Sequence, residues 1–258
     1  MTMIKTKREI EIMREGGKRL AEILQKVSSE ARVKINVSVL NTFAEKLIRA
    51  GGDKPAFLNY KPEGAGRPYP ATLCVSINDE IVHGIPNEET KILREGDIVG
   101  LDLGLEHRGL FLDMAVTIPI GKVSKEDQKL INMTKEALEV GIKAAKGGNK
   151  IGDIGYAIER FVKKCGYNMP YELGGHGIGY KVAEKPYVPN RGKKNTGEKL
   201  KAGMVLALEP MLNKGDADII LMDDDYTYKT ANGSRSAHFE HTILITDSEA
   251  EVLTKNIP

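Results

Sequence analysis

The segment from Gly96 to Thr117, GDIVGLDLGLEHRGLFLDMAVT, decides how the rest of the chain is read. Two runs of alternating apolar residues flank the turn-forming sequence Glu106-His107-Arg108-Gly109, the pattern of a β-hairpin. A turn centred between His107 and Arg108 places Asp102 opposite Asp113, with Leu101 on Met114, Leu103 on Leu112 and Leu105 on Leu110. The leucines form an apolar ladder on one face. On the other face Gly100, Gly104 and Ala115 leave room around the two carboxylates. Like charges set side by side destabilise a sheet, so a cation between them is one expectation. The other is that both aspartates are solvated, because an antiparallel sheet with one apolar face can turn its second face to water. The hairpin alone does not decide.

Composition narrows the field. A chain of 258 residues is long enough for one large α/β domain or two small ones with a substantial core. Its 38 basic and 36 acidic residues give a net charge of +2, no strong pull toward nucleic acid or a membrane surface. Only Cys74 and Cys165 are present, which argues against a disulfide scaffold and fits a reducing cytosol. No apolar run approaches the roughly 18–20 residues of a membrane span. The start, MTMIKTKREIEIMREG, is charged and periodic rather than a signal peptide. A cytoplasmic protein is expected.

Along the chain, Ile4 to about Ser29 has helical apolar spacing, and Ser38 is a candidate cap for a second helix to about Arg49. Residues 53–70 read as a loop, rich in proline and glycine. Short apolar runs follow at Thr72–Ile77 and Glu80–His83, then the hairpin. A third helix starts at Ser124 and a fourth runs from about Ile151 to Cys165, stopped by Gly166. The remainder is strand-like, with long runs at Met204–Asn213 and Ser236–Thr246. Two helices then strands, followed by two more helices then strands, predict an α+β fold with helices on one face of an antiparallel sheet. No linker interrupts it, so residues 1–258 are read as one domain.

Three further residues share the chemistry of the aspartates. His176 lies in GGHGIG, where glycines leave the imidazole accessible. Glu209 lies in VLALEPML and Glu240 in SAHFEHTILIT, acidic residues inside otherwise buried strands. A buried carboxylate without a partner is costly. For any one of them an ordinary hydrogen bond or ion pair would suffice, but a shared cation cluster satisfies all five at once. Oxygen-rich ligation with one imidazole suits Co, Mn, Fe or Zn. Four carboxylates exceed the need of a single ion, so two divalent ions about 3.5–4 Å apart are expected.

The ordered motifs HGIP, GLDLGL…LFLDMA, GGHGIG, ALEPML and FEHTI resemble those of the methionine aminopeptidases, metallopeptidases of the pita-bread fold. The 33-position spacing from His176 to Glu209, without a large insertion, is similar to the type I form. The resemblance runs from about Ile4 to Leu253. It implies a pseudo-twofold antiparallel sheet with helices on the outer face. It also implies removal of the initiator methionine from nascent chains with a small second residue, by attack of metal-bound hydroxide. Under it Asp102 and Asp113 hold one ion, with Asp113 and Glu240 bridging, and His176 and Glu209 hold the second. Glu209 is the implied proton carrier, and His83 in IVHGIP contacts the substrate amide. Tyr69, Cys74, Val182 and Tyr226 fall where the family lines its methionine pocket. Docking on the ribosome is left open, and a monomer is the default expectation.

One departure bears on activity. After GGHGIG the family pattern continues to His-Glu-x-Pro, whereas this chain reads YKVAEKP, putting Ala183 at the position of the second catalytic histidine. Alanine cannot donate a hydrogen bond, and loss of one such donor costs about 10²–10³ in turnover. Ala183 is therefore read as a substitution that lowers activity, whether engineered or natural, with engineering favoured by the intact Glu184 and Pro186. His238 is expected to touch the ligands rather than the ions, His241 to be packed and hydrogen-bonded, and His107 to be exposed in its turn. Tyr60 is left out of the site because loop 61–68 is unlike the usual connection. Two other readings stand beside the enzyme: an X-prolyl aminopeptidase or prolidase, and a non-catalytic member of the fold that binds peptide or RNA. RNA binding would need a denser basic patch than Lys193-Lys194 with Arg191.

Overall fold

The computed structural model describes residues 4–255. Helix α1 (Lys7–Glu30) starts on a capping box in which Thr6 and Glu9 satisfy each other's backbone N–H groups. Helix α2 (Val37–Ala50) is capped by Asn36, not by Ser38; the Asn36 side chain accepts from Ser38 N at 3.1 Å. An asparagine carbonyl reaches the N–H two residues on, so Ser38 falls inside the first turn. Strand β1 (Lys54–Pro55) is a two-residue strand within the segment expected to be all loop. Strands β2 (Leu73–Ile77) and β3 (Glu80–Val82) follow, then the hairpin of β4 (Ile98–His107) and β5 (Leu110–Pro119).

The hairpin forms in a different register from the one expected. Asp102 lies opposite Ala115 and Gly104 opposite Asp113, while Leu103 faces Met114, Leu105 faces Leu112 and His107 faces Leu110. The turn residues are Arg108 and Gly109, with φ of 50° and 84°. Two consecutive positive φ angles are the signature of a two-residue type I′ turn, and glycine takes the second at no steric cost. Moving the turn centre by one residue shifts the pairing by two, which keeps every side chain on its expected face. Leu101, Leu103, Leu105 and Leu112 are indeed fully buried on one side.

Helix α3 (Lys125–Ala144) is capped by Ser124, and α4 (Ile151–Cys165) ends on Gly166 at φ 77°. The remaining strands are β6 (Gly174–Gly177), β7 (Glu184–Pro189), β8 (Val205–Leu208), β9 (Met211–Asn213), β10 (Ile219–Leu221), β11 (Tyr228–Thr230), β12 (Ser236–His238), β13 (Glu240–Leu244) and β14 (Glu251–Val252). The main sheet runs β1-β4-β5-β13-β8-β6-β7, with β2 on β4 and β14 on β13, antiparallel throughout. Helices α1 and α2 bury Met13, Leu20 and Leu40 against the hairpin leucines. Helices α3 and α4 bury Leu130 and Ile154 against Leu206, Leu208 and Ile243. Each half thus has a helix pair on one face of the sheet, the pseudo-twofold pita-bread arrangement. Among the described residues no helix is long and apolar enough to cross a membrane.

Candidate metal centre and active site

The two long strand runs expected in the second half both break, and the breaks carry the acidic residues. Met204–Asn213 divides into β8 and β9 at Glu209-Pro210, because proline has no N–H for the ladder. Ser236–Thr246 divides into β12 and β13 at Phe239, and β12 leaves the main sheet to pair with β9. Two buried threonines repair the main chain at this bend. Thr117 Oγ1 accepts from His238 N and donates to His238 O, both at 2.8 Å. Thr242 Oγ1 accepts from Asp113 N at 3.0 Å and donates to Asp113 O at 2.8 Å.

This framework brings together all five residues expected as ligands. Glu240 pairs with Ala115, which pairs with Asp102 on its other side, so the two carboxylates flank one small residue. Asp113 lies diagonally from Asp102, and their carboxyls are in hydrogen-bonding contact. His176 on β6 faces Ala207, and its Nε2 stands 3.5 Å from Glu209 Oε1. Donor atoms of Asp113, His176 and Glu240 lie within 4.8 Å of one another, as do those of Glu209, His238 and Glu240. The glycines around His176 serve strand packing: a Cβ at Gly175 would lie 2.2 Å from Ala207 O, and one at Gly177 2.2 Å from Lys185 O.

Burial pushes the carboxyls of Asp102, Asp113, Glu209 and Glu240 above their ordinary range, and repulsion from Asp113 adds to it for the other three. His176 and hydrogen bonds from Asp102 and Met114 pull Asp113 partly back. Buried Asp102 Oδ1 and Glu240 Oε1 have no hydrogen-bond partner. Four clustered carboxyls, two of them with an orphaned oxygen, are costly in isolation, and divalent cations relieve that cost directly. The donor set therefore fits a metal centre built largely of oxygen ligands.

Beside the carboxylates opens a pocket of about 570 Å³, within the range of small-ligand sites. Tyr69, Cys74, Val182 and Tyr226 belong to one buried apolar cluster in its wall, and the Tyr69 and Tyr226 rings meet edge to face at 5.0 Å. Phe57 belongs to the same cluster and was not foreseen. It lies over Gly104, where a Cβ would come 2.6 Å from its ring, so the space beside Asp113 is filled by an aromatic side chain. Tyr60, which the sequence reading leaves out of the site, also lines the pocket. Both sit in the irregular 53–70 segment, where periodicity offers no signal.

His83 projects into the pocket from a left-handed backbone, φ 61°, uncommon for a residue with a side chain. The residue is exposed, yet the protein packed around it, with His176 adding, pushes its imidazole pKa down to about 4. Ala183 lines the same pocket and offers only a methyl group. The neighbouring Glu184 instead accepts from buried Lys5 Nζ at 2.5 Å.

His107 is buried, contrary to expectation. Its Nδ1 is 2.6 Å from Asp53 Oδ1 on the helix side of the hairpin, because the register makes it the last paired residue rather than part of the turn. His241 is packed as expected, with Nδ1 2.9 Å from Thr254 Oγ1. His238 is buried with its Nε2 3.7 Å from Glu209 Oε2.

Residues 11–247 match the family described as Metallopeptidase family M24. A methionine aminopeptidase of Aquifex aeolicus is 44% identical over 254 residues, covering 97% of each chain. The crystal structure of methionine aminopeptidase from Thermotoga maritima superposes with a TM-score of 0.93 at 40% identity, covering 99% of this chain and 100% of that one. That of methionine aminopeptidase from Rickettsia prowazekii gives 0.93 at 37% identity with the same coverage.

Proposed function

The chain belongs to metallopeptidase family M24 and acts as a metal-dependent methionine aminopeptidase; from that premise we propose how its own residues divide the work. Asp102, Asp113, His176, Glu209 and Glu240 would hold two divalent ions, Co, Mn, Fe or Zn, with Asp102 and Asp113 serving one and His176 and Glu209 the other. The observation that carries this assignment is the convergence of buried Asp102, Asp113 and Glu240 with half-buried Glu209 on one side of the sheet, Asp102 Oδ1 and Glu240 Oε1 being left without hydrogen-bond partners.

Bound divalent ions supply Lewis acidity toward the scissile carbonyl and acidify the attacking water. The protein residues supply orientation and proton handling. The apolar wall of Tyr69, Cys74, Val182 and Tyr226 takes the unbranched thioether side chain, with Phe57 closing it beside Asp113. His83, neutral at physiological pH, donates a hydrogen bond to the substrate amide. Glu209 receives the proton of the attacking water and returns it to the leaving amine. Ala183 contributes no second donor on that side, so turnover is lower than a histidine there would give.

The substrate is the N-terminal methionine of peptides and nascent chains, and the alternatives of X-prolyl hydrolysis or non-catalytic binding are not favoured. We further propose a monomeric, single-domain cytoplasmic enzyme. Release of free methionine from Met-Ala-Ser tests the assignment. Glu209→Gln should lower it at least about 100-fold, and an unchanged rate would remove Glu209 from the proton path.

A further inference from the structure

His238 has no task in the scheme above, yet it faces the acidic cluster. Its side chain is 3% exposed, and its Nε2 has no hydrogen-bond partner. That nitrogen stands 3.7 Å from Glu209 Oε2 and 3.9 Å from Glu240 Oε2. A desolvated polar atom without a partner costs free energy, and neither carboxylate is within hydrogen-bond distance. The main chain nonetheless fixes the residue in this place, through the paired 2.8 Å hydrogen bonds with Thr117 Oγ1. Glu240 lies two residues on, across the break at Phe239, and points to the same side.

We infer that His238 is a sixth protein donor to the metal centre, its Nε2 joining Glu209 and Glu240 on one ion. The inference rests on the two-ion reading and adds a ligand to it. Atoms that share an ion at about 2.0–2.2 Å stand about 3–3.6 Å from one another. The observed separations exceed that span only slightly, and one donor atom from each of the three side chains falls within 4.8 Å of the others. A neutral imidazole adds a donor without adding negative charge to a centre already rich in carboxylates. It also shifts preference, since each added imidazole favours Zn and Fe over Mn, which a carboxylate-rich sphere suits.

X-ray absorption of the zinc-loaded full-length protein counts the imidazoles bound. The wild type should show two per chain, from His176 and His238, and His238→Gln should show one. In parallel, the zinc-to-manganese affinity ratio should fall about tenfold or more in His238→Gln. One imidazole in the wild type, or zinc and manganese affinities that fall alike in the variant, overturns the donor role while the metal reading stands. A wild-type chain that retains no divalent ion overturns both. Should His238→Gln fail to fold, the wild-type imidazole count decides alone.

Discussion

Asp102 and Asp113 stand diagonally across the β4–β5 hairpin, Asp102 opposite Ala115 and Asp113 opposite Gly104, and Glu240 reaches the same Ala115 from β13. Direct opposition would leave two carboxylates face to face. The diagonal instead sets small Ala115 beside Asp113, with Asp102 on one side of it and Glu240 on the other, so three carboxylates gather in a donor set that fits a shared cation.

The metal-free protein should lose stability as pH rises, and metal should restore it. Asp102, Asp113, Glu209 and Glu240 have carboxyls raised in the folded state above their ordinary values near 4. A raised folded pKa means the folded state binds more protons, so its stabilising contribution is complete below about pH 4 and is lost as pH rises through the folded values. Divalent ions compete with those protons. Thermal unfolding with and without Mn should show a metal-induced stabilisation that grows from pH 5 to pH 8. At a hundredfold excess over the dissociation constant it reaches about 2.7 kcal/mol. A metal effect independent of pH would contradict the account.

Gly104→Ala should destabilise the fold and narrow the pocket together. Its Cβ would meet the Phe57 ring at 2.6 Å and Ala56 Cβ at 3.0 Å, so Phe57 must move from beside Asp113. Overpacking of this kind costs about 1–3 kcal/mol. Calorimetry should show the loss, and KM for Met-Ala-Ser should rise with it.

Ala183→His should raise kcat for Met-Ala-Ser by about 10²–10³, the worth of one well-placed donor. The position lines the pocket and is exposed. Equal rates would show that this chain handles its leaving group without a second histidine.

Asp53→Ala should unfold the protein more easily without touching the site. It strips His107 Nδ1 of a 2.6 Å partner in a buried place, where an unsatisfied polar group costs about 1–3 kcal/mol. Denaturant unfolding reads the loss, and methionine release at low temperature should be unchanged.

His107 also illustrates what was legible in the sequence. Its alternating neighbours gave the hairpin and the correct faces, but the turn centre depends on backbone angles at Arg108 and Gly109 that residue types only suggest. A two-residue error in register preserved the apolar ladder, so nothing in the pattern exposed it. The carboxylates and His176 stood out because charged residues inside apolar strands need a reason. Phe57 and Tyr60 did not, since an irregular loop has no period and its aromatic residues find the pocket only through tertiary packing. The breaks at Pro210 and Phe239, which aim Glu209 and His238, were likewise hidden inside continuous apolar runs.

Methionine release should depend on divalent ions held by this carboxylate cluster. The most direct test is free methionine produced from Met-Ala-Ser by protein stripped with a chelator, then titrated with Mn or Co. Stripping should abolish release, either ion should restore it, and neither should restore it in Asp102→Asn. Release that survives complete stripping, or that returns in Asp102→Asn as fully as in the wild type, would contradict that dependence.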